Sequence, residues 1–460
     1  MKSLLSLCLI VANHAYSQEV SNVEKNLLFN PFANKHGISQ TVIDQSQIPF
    51  FKNSSFFKTF GTNGRNCFTC HRPDQGWTIT PEKIQERFNL SQGRDPLFDK
   101  FDGSNCIEAN SSNFAQKKKD YSLLLNKGLI RVDLKIPTNA DFTLLKKEDP
   151  YKCNPKEEIA VYRRPLPTTN LRFLTGVMWD ARESSANKTL RESLLQQAAD
   201  ATTGHAQAKN SPSETDLNSI VDFEMALHTA QIYDDNAKNL NLGANGGPLY
   251  LARIPFQVGA NDPLNPQMTF NEKATNLYEK WETESGRLSS LPAASQVEIV
   301  KIVAQRKSIA NGQRLFSSKK FQAKNVMGLN DVVNVPSVTI SCTTCHNTPN
   351  VGNHSVPFPV DLGLSDASRR TADLPLYTFK CASGLVVKTT DPGRAMITGK
   401  CKDFNKMKGA VLRSLAPRAP YFHNGSAATL EKVVDFYNER FSINFTEQEK
   451  ADLVAFLKSL

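Results

Sequence analysis

The sequence predicts a mainly α-helical protein built of two units, the first enlarged by loop and hairpin insertions. Three observations lead there. The chain has 460 residues with 40% apolar content, more than one small core absorbs. A Cys-x-x-Cys-His pattern occurs twice, as Cys67-Phe68-Thr69-Cys70-His71 and as Cys342-Thr343-Thr344-Cys345-His346. Apolar residues recur at helical spacing between the two copies and again beyond the second.

The first residues read as an export signal. Lys2 gives a positive start, Leu4 to Ala12 an apolar run, and Ala15-Tyr16-Ser17 a small-x-small cleavage site, so residues 1–17 are expected to leave the mature chain. Residues 18–60 read as an irregular arm rich in Asn, Ser and Phe, ending at the Gly61-Thr62-Asn63-Gly64 loop. No later stretch approaches the roughly 18 unbroken apolar residues that a membrane span needs. The expected compartment is the periplasm of a Gram-negative bacterium.

That compartment sorts the nine cysteines. Cys8 leaves with the signal, four lie in the two motifs, and Cys106, Cys153, Cys381 and Cys401 remain for two disulfides. Three pairings are open; the local one joins Cys106 to Cys153 and Cys381 to Cys401, each bridge worth roughly 3 to 4 kcal/mol. The formal charge of +10 favours acidic soluble partners such as a small electron-transfer protein. A nucleic-acid partner is not expected, because the lysines are scattered apart from Lys117-Lys118-Lys119 and the chain reads as exported.

The first unit is expected over 61–295 and the second over 296–460. Residues 76–160 mix Asp, Lys, Gly and Pro with short alternations such as Asp133-Leu134-Lys135-Ile136, which predicts loops with a hairpin or two. Helices are predicted from Thr189 to Ala201, ended by Gly204, and from Thr215 to Tyr233. The Gly/Pro/Asn-rich stretch from Gly243 to Pro266 reads as a long connection. A second helical region starts near Gln296, and its last helix opens on the Thr446/Glu449 capping box with Leu453, Phe456, Leu457 and Leu460 on one face.

In Cys-x-x-Cys-His the two thiols can add to the vinyl groups of one haem while the adjacent imidazole reaches the iron. A zinc site would want two further ligands at each pair, and a dithiol redox pair has no need of His71 or His346. Chance supplies the pattern in only about three of a thousand chains of this composition, so two copies predict two covalently bound haem c groups. They are attached at Cys67 and Cys70 and at Cys342 and Cys345, with His71 and His346 as proximal iron ligands. The fold class is therefore mainly α with two cytochrome c-like haem domains.

Two further segments carry a resemblance. Ala416-Pro417-Arg418-Ala419-Pro420-Tyr421-Phe422-His423-Asn424-Gly425-Ser426, followed by Thr429-Leu430-Glu431, is similar to the C-terminal signature of bacterial dihaem cytochrome c peroxidases. Met178-Trp179-Asp180-Ala181-Arg182 resembles that family's Trp-Asp-Gly-Arg, with Ala181 where glycine is usual. The resemblance runs from about Asn66 to Leu460, although the segments between the motifs match poorly. It implies a peroxidatic N-terminal haem, an electron-transfer C-terminal haem, and Trp179 as the residue that passes electrons or holes between them.

The family's C-terminal haem takes a Met fourteen positions after the signature His. Counting from His423 gives Tyr437, which resembles the arrangement in the related MauG enzyme; Met407 and Met396 are rival ligands. The distal Gln and Glu follow the family's Trp-Asp-Gly-Arg at shorter spacing than here, which leaves Gln197, His205 and Gln207 as distal candidates and Glu183 and Glu192 as alternative acids. No His lies between His71 and His205, so the blocking ligand of resting peroxidases is not expected. The family also binds calcium near the Pro420 position, for which Asn170 is a candidate donor. His228, placed in an apolar helix, and His354 read as structural.

The resemblance implies hydrogen peroxide as substrate and a small cytochrome or copper protein as electron donor. A MauG-like enzyme would instead oxidise a partner protein, and a non-enzymatic electron carrier is the competing class.

Overall fold

The computed structural model describes residues 30–43, 53–153, 158–265, 267–289, 291 and 294–460. The export segment expected over 1–17 lies outside them. The fold mixes helix and sheet, with 36% of residues helical and 16% in strands. "Mainly α" understates the strands, because several of them pair over long sequence distances that local periodicity does not register.

Among the described residues six helices exceed ten residues: α1 (Pro81–Ser91), α2 (Leu190–Gly204), α3 (Glu214–Ala226), α4 (Gln296–Ser318), α5 (Leu430–Phe441) and α6 (Glu447–Lys458). Capping sets their starts. Thr189 and Glu192 form a capping box at α2, and Thr446 and Glu449 form the expected one at α6. Each satisfies amide groups that the first helical turn leaves without partners. Glu192 is thereby committed to Thr189, whose amide and hydroxyl both donate to its carboxylate at 2.7 Å. It caps a helix instead of serving as an acid.

Among the described residues, and besides a short pair at His346–Asn347 and Gly352–Asn353, the strands are β1 (Phe32–Asn34), β2 (Gly37–Val42), β3 (Ile130–Lys135), β4 (Phe142–Glu148), β5 (Glu158–Arg163), β6 (His228–Asp234), β7 (Lys238–Asn239), β8 (Phe321–Lys324), β9 (Ser337–Ile340), β10 (Leu376–Cys381) and β11 (Val386–Thr389). The described part of the arm is not irregular: β1 and β2 form a hairpin that extends through β6 to β7. The helix expected over Thr215 to Tyr233 stops at Ala226, and His228 begins β6. Apolar residues run on through both elements, so the change of period at Leu227 carries little signal.

The alternation at residues 133–136 marks β3, but its partner is β5, while β4 between them leaves to pair with β10. A strand from the insertion thus joins a sheet with strands from the second half of the chain. The segment from Gly243 to Pro266 is also less bare than expected, since Gly247–Arg253 is helical.

Two large apolar clusters form. One gathers Phe56, Phe68, Trp77, Leu194, Val221 and Phe223. The other packs α4, α5 and α6 around Leu315, Leu430, Val434, Phe456 and Leu457, and it also takes in Leu240, Tyr278 and Trp281 from before α4. Both local disulfides are present, Cys106–Cys153 and Cys381–Cys401, with Cα atoms 5.4 and 5.9 Å apart. The four motif cysteines stay free.

The Cys381–Cys401 bridge closes a loop of sequence separation 20. Replacing both cysteines by serine should cost about 3 kcal/mol on the loop-entropy scale, read from urea unfolding of the oxidised protein and the variant.

Candidate functional site

The two Cys-x-x-Cys-His segments fold alike. Cys67–Thr69 forms a single 3-10 turn and Cys342–Cys345 a single α turn, each opened by a capping box: Asn66 with Thr69, and Ser341 with Thr344. The polar residue before the first Cys and the Thr before the second were a shared signal that sequence reasoning passed over. After each turn the imidazole is fixed by its Nδ1, 3.1 Å from Trp77 O for His71 and 3.1 Å from Val351 O for His346. Nε2 of each ring makes no hydrogen bond among the described residues and is left to bind elsewhere, the orientation that an outer carbonyl imposes on a metal-ligating histidine.

These groups lie deep in the protein. Burial pushes the Cys342 and Cys345 thiols up to about 12, raises those of Cys67 and Cys70, and pulls His71 and His346 down to about 4. Yet all six side chains keep accessible surface. Each is therefore only partly covered by protein, the cysteines resting against the apolar clusters on one side.

Around the second motif lies a defined cavity whose wall includes Cys342, Cys345, His346, Tyr437, Met407 and Trp179. Tyr437 extends from α5 into it, and burial raises its phenol well above the usual range. Met407 also reaches the wall, whereas Met396 is buried among Leu134, Tyr377, Phe379 and Phe404 and is removed as a rival ligand. Apolar residues of α5 and α6 make much of the rest, among them Leu430, Val433, Val434, Leu453 and Leu457.

Three cations interrupt this apolar surface: Arg164, Lys408 and Arg418, each under a tenth exposed. Among the described residues none of them has a carboxylate partner, and Arg418 Nε has no hydrogen-bond partner at all. Burial lowers Lys408 to about 8, Arg164 to about 9 and Arg418 to about 10, and the Arg418 charge adds to the first two. Buried cations are costly unless an anion joins them. An apolar cavity with thiols, an open imidazole nitrogen and unneutralised cations suits a haem with its two propionates. Among the described residues no three His, Cys, Asp or Glu side chains converge as a metal cage, so the zinc alternative lacks its donors.

Trp179 stands in the same wall. Its Nε1–H donates to Arg164 O at 2.8 Å, and its ring meets His423 edge-on with centroids 6.1 Å apart. Behind it, Arg163 sits between two carboxylates: Nη1 lies 2.6 Å from Asp180, and Nε lies 2.6 Å from Asp391. Arg182 also bonds Asp180. Arg164 N donates to His423 O at 2.6 Å. The Trp-Asp-Ala-Arg segment and the His423 signature are thus held together by one buried ion cluster. Ala181 adopts φ 55, a left-handed conformation that explains why glycine suits this position.

Beside the first motif the structure brings together residues that the sequence kept apart. His205 caps the end of α2, with Nδ1 2.6 Å from Asp102 Oδ2. Asp102 also pairs with Arg65, and both are buried. Burial alone would raise the Asp102 carboxyl, but the Arg65 charge and the His205 hydrogen bond outweigh it and hold it below its ordinary value. The His205 charge is felt at His71, and those of Arg65 and Asp102 at Cys70. The Gly61–Gly64 loop closes over this turn: Asn63 Nδ2 donates to His205 O at 2.9 Å, and a Cβ at Gly61 would collide with Ala206 O. Asp102 comes from the insertion that the sequence left without a role.

Gln197 is half-buried on α2, and Gln207 lies at φ 55 just past His205. Neither is joined to His205 by a hydrogen bond among the described residues. Glu183 is buried against Asp200, and burial followed by that like charge pushes it up to about 7. The Asn170 amide bonds both the N–H and the carbonyl of Thr229, at 3.0 and 2.9 Å. His354 bonds Asn347 and Phe173 O, as a structural histidine should; His228 bonds Ala226 O, again a structural role, but from a strand.

Comparison with known proteins bears out the resemblance to cytochrome c peroxidases. The chain is 35% identical to the cytochrome-c peroxidase IdrP2 of Denitromonas iodatirespirans over 131 residues, 26% of this chain and 35% of that protein. It is 34% identical to the cytochrome c551 peroxidase of Nitrosomonas europaea over 26% of this chain and 30% of that protein. To the cytochrome c551 peroxidase of Pseudomonas aeruginosa it is 24% identical over 53% of this chain and 64% of that protein. The match thus spans about a third of the length of the first two relatives. A crystal structure of a MauG-like protein associated with microbial copper homeostasis aligns over 94% of this chain and 93% of its own, with TM-score 0.40 and 14% identity. No family model matches.

The ion cluster sets a stability test. Burial opposes ionisation of Asp180 and Asp391, but Arg163 more than compensates and holds both below the usual carboxylate value. Their contribution is complete above about pH 4, the unfolded value, and is lost as pH falls through the lower folded values. Asp391→Asn should cost about 3 to 5 kcal/mol at neutral pH and flatten the loss of stability below pH 4, both measured by denaturant unfolding.

Proposed function

We propose that this chain is a periplasmic dihaem c-type oxidoreductase of two cytochrome c-like haem units. It reduces hydrogen peroxide at the N-terminal haem, with electrons relayed through the C-terminal haem and Trp179. The observation that carries the reading is the His205–Asp102 pair set beside the first Cys-x-x-Cys-His. His71 and His346 would hold the two irons through Nε2, and the cysteines of each motif would fasten the macrocycle. When bound, the haems would relay electrons from the external donor and supply the iron at which peroxide is reduced.

The protein's part is proton handling and alignment. Reduction of one peroxide to two waters consumes two electrons and two protons. Asp102 takes the Nδ1–H of His205, which fixes the tautomer and leaves Nε2 basic. That nitrogen can accept a proton from the near oxygen of the peroxide and return it to the departing oxygen. Arg65 keeps Asp102 ionised throughout. Trp179, pinned at Nε1 and set against His423, offers a fixed aromatic ring for transfer between the two haem units. The basic surface suits an acidic electron donor, such as a small cytochrome or copper protein.

A second reading is favoured by Tyr437. A phenol in the cavity wall with His346 matches the MauG-like arrangement, in which a partner protein is oxidised instead.

His205→Ala and Asp102→Asn should each lower peroxide reduction by about 10²- to 10⁴-fold while both haems remain attached. Unchanged turnover in both variants would remove the proton-transfer role. Tyr437→Phe should change the ferric absorption and electron-spin spectra of the C-terminal haem if the phenol binds iron. Unaltered spectra would leave Met407 as the ligand facing the cavity.

A further inference from the structure

Glu224 is a carboxyl that this scheme leaves without a task. It lies on α3, only 3% exposed, and its Oε2 has no hydrogen-bond partner. Its neighbours Ile220, Val221, Phe223 and Leu227 belong to the apolar cluster against which Cys67 packs. Among the described residues no charged group compensates it. The ion pairs that tie α3 to adjoining elements, Arg191–Asp222 and Lys58–Asp216, involve side chains nearer the surface, and burial alone pushes Glu224 up, to about 8. When ionised, its charge is felt at the Cys67 thiol. A helix that needed only packing here would carry an apolar residue, because a buried acid without a partner costs stability.

We propose that Glu224 is the proton site of the N-terminal haem, binding a proton when that iron is reduced and releasing it when the iron is oxidised. This rests on the reading that a haem is attached at Cys67 and Cys70. In the coupled step one electron converts ferric to ferrous iron, and one proton from solvent converts the Glu224 carboxylate to the acid. The interior then gains no net charge, which matters where the dielectric is low. The positive charge of ferric iron favours the carboxylate, and reduction removes that support. An electron sent toward peroxide thus arrives with one of the protons the reaction consumes. Glu224 acts here as a proton-storing residue beside the site, distinct from His205, which would touch the substrate.

The test is a spectroscopic redox titration of the holoprotein between about pH 5 and 10, following the N-terminal haem, with the C-terminal haem as internal control. The native protein should show a midpoint potential that falls as pH rises, with a slope approaching one proton per electron in part of the range. Glu224→Gln, neutral and of the same shape, should abolish that slope and sit at the native low-pH potential. Glu224→Asp should keep a slope displaced along the pH axis. A Gln variant that retains the native slope, or a native protein with no slope, overturns the proposal. Absence of haem on the Cys67–Cys70 peptide by mass overturns the parent reading, and the proposal with it.

Discussion

The guanidinium of Arg163, clamped between Asp180 and Asp391 away from water, is the interaction on which the site's architecture depends. It closes the end of β5 onto the Trp179 segment and onto the loop after β11. The adjacent residue, Arg164, carries the connection to His423 through its amide and to Trp179 through its carbonyl. Such a cluster is strong only when complete, since each charge left without its partner would be buried and uncompensated. The elements that place Trp179 and His423 are therefore held together or not at all.

A second constraint works in the opposite sense. Arg164, Lys408 and Arg418 are buried around the cavity with no carboxylate partner among the described residues, in a wall that is otherwise largely apolar. Among the described residues nothing neutralises them, and an anionic, largely apolar occupant fits such a wall. Arg418 also packs against Gly76, where a Cβ would come 2.7 Å from its Cγ. Gly76 precedes Trp77, whose carbonyl orients His71. The loop of the first motif thus rests on a residue of the second cavity.

Much of this was legible in local sequence. The two Cys-x-x-Cys-His patterns, the capping box at Thr446, the start of α2 near Thr189, both disulfides and the place of Tyr437 all depend on residues close in the chain. What escaped depends on contacts across the chain. Asp102 meets His205 across 103 residues, β4 pairs with β10 across more than two hundred, and neither alternation nor spacing carries such information. The end of α3 was hidden because Ile220 to Tyr233 is apolar in a way that serves a helix and then a strand. Met396 was a rival iron ligand by type, and the structure spends it on core packing.

The central claim is that each motif fastens one haem. Mass spectrometry of the protein matured in a host that attaches haem, followed by peptide mapping, tests it most directly. The account predicts one haem on the peptide with Cys67 and Cys70 and another on the peptide with Cys342 and Cys345. An unmodified polypeptide, or a haem on only one of the two, would contradict it.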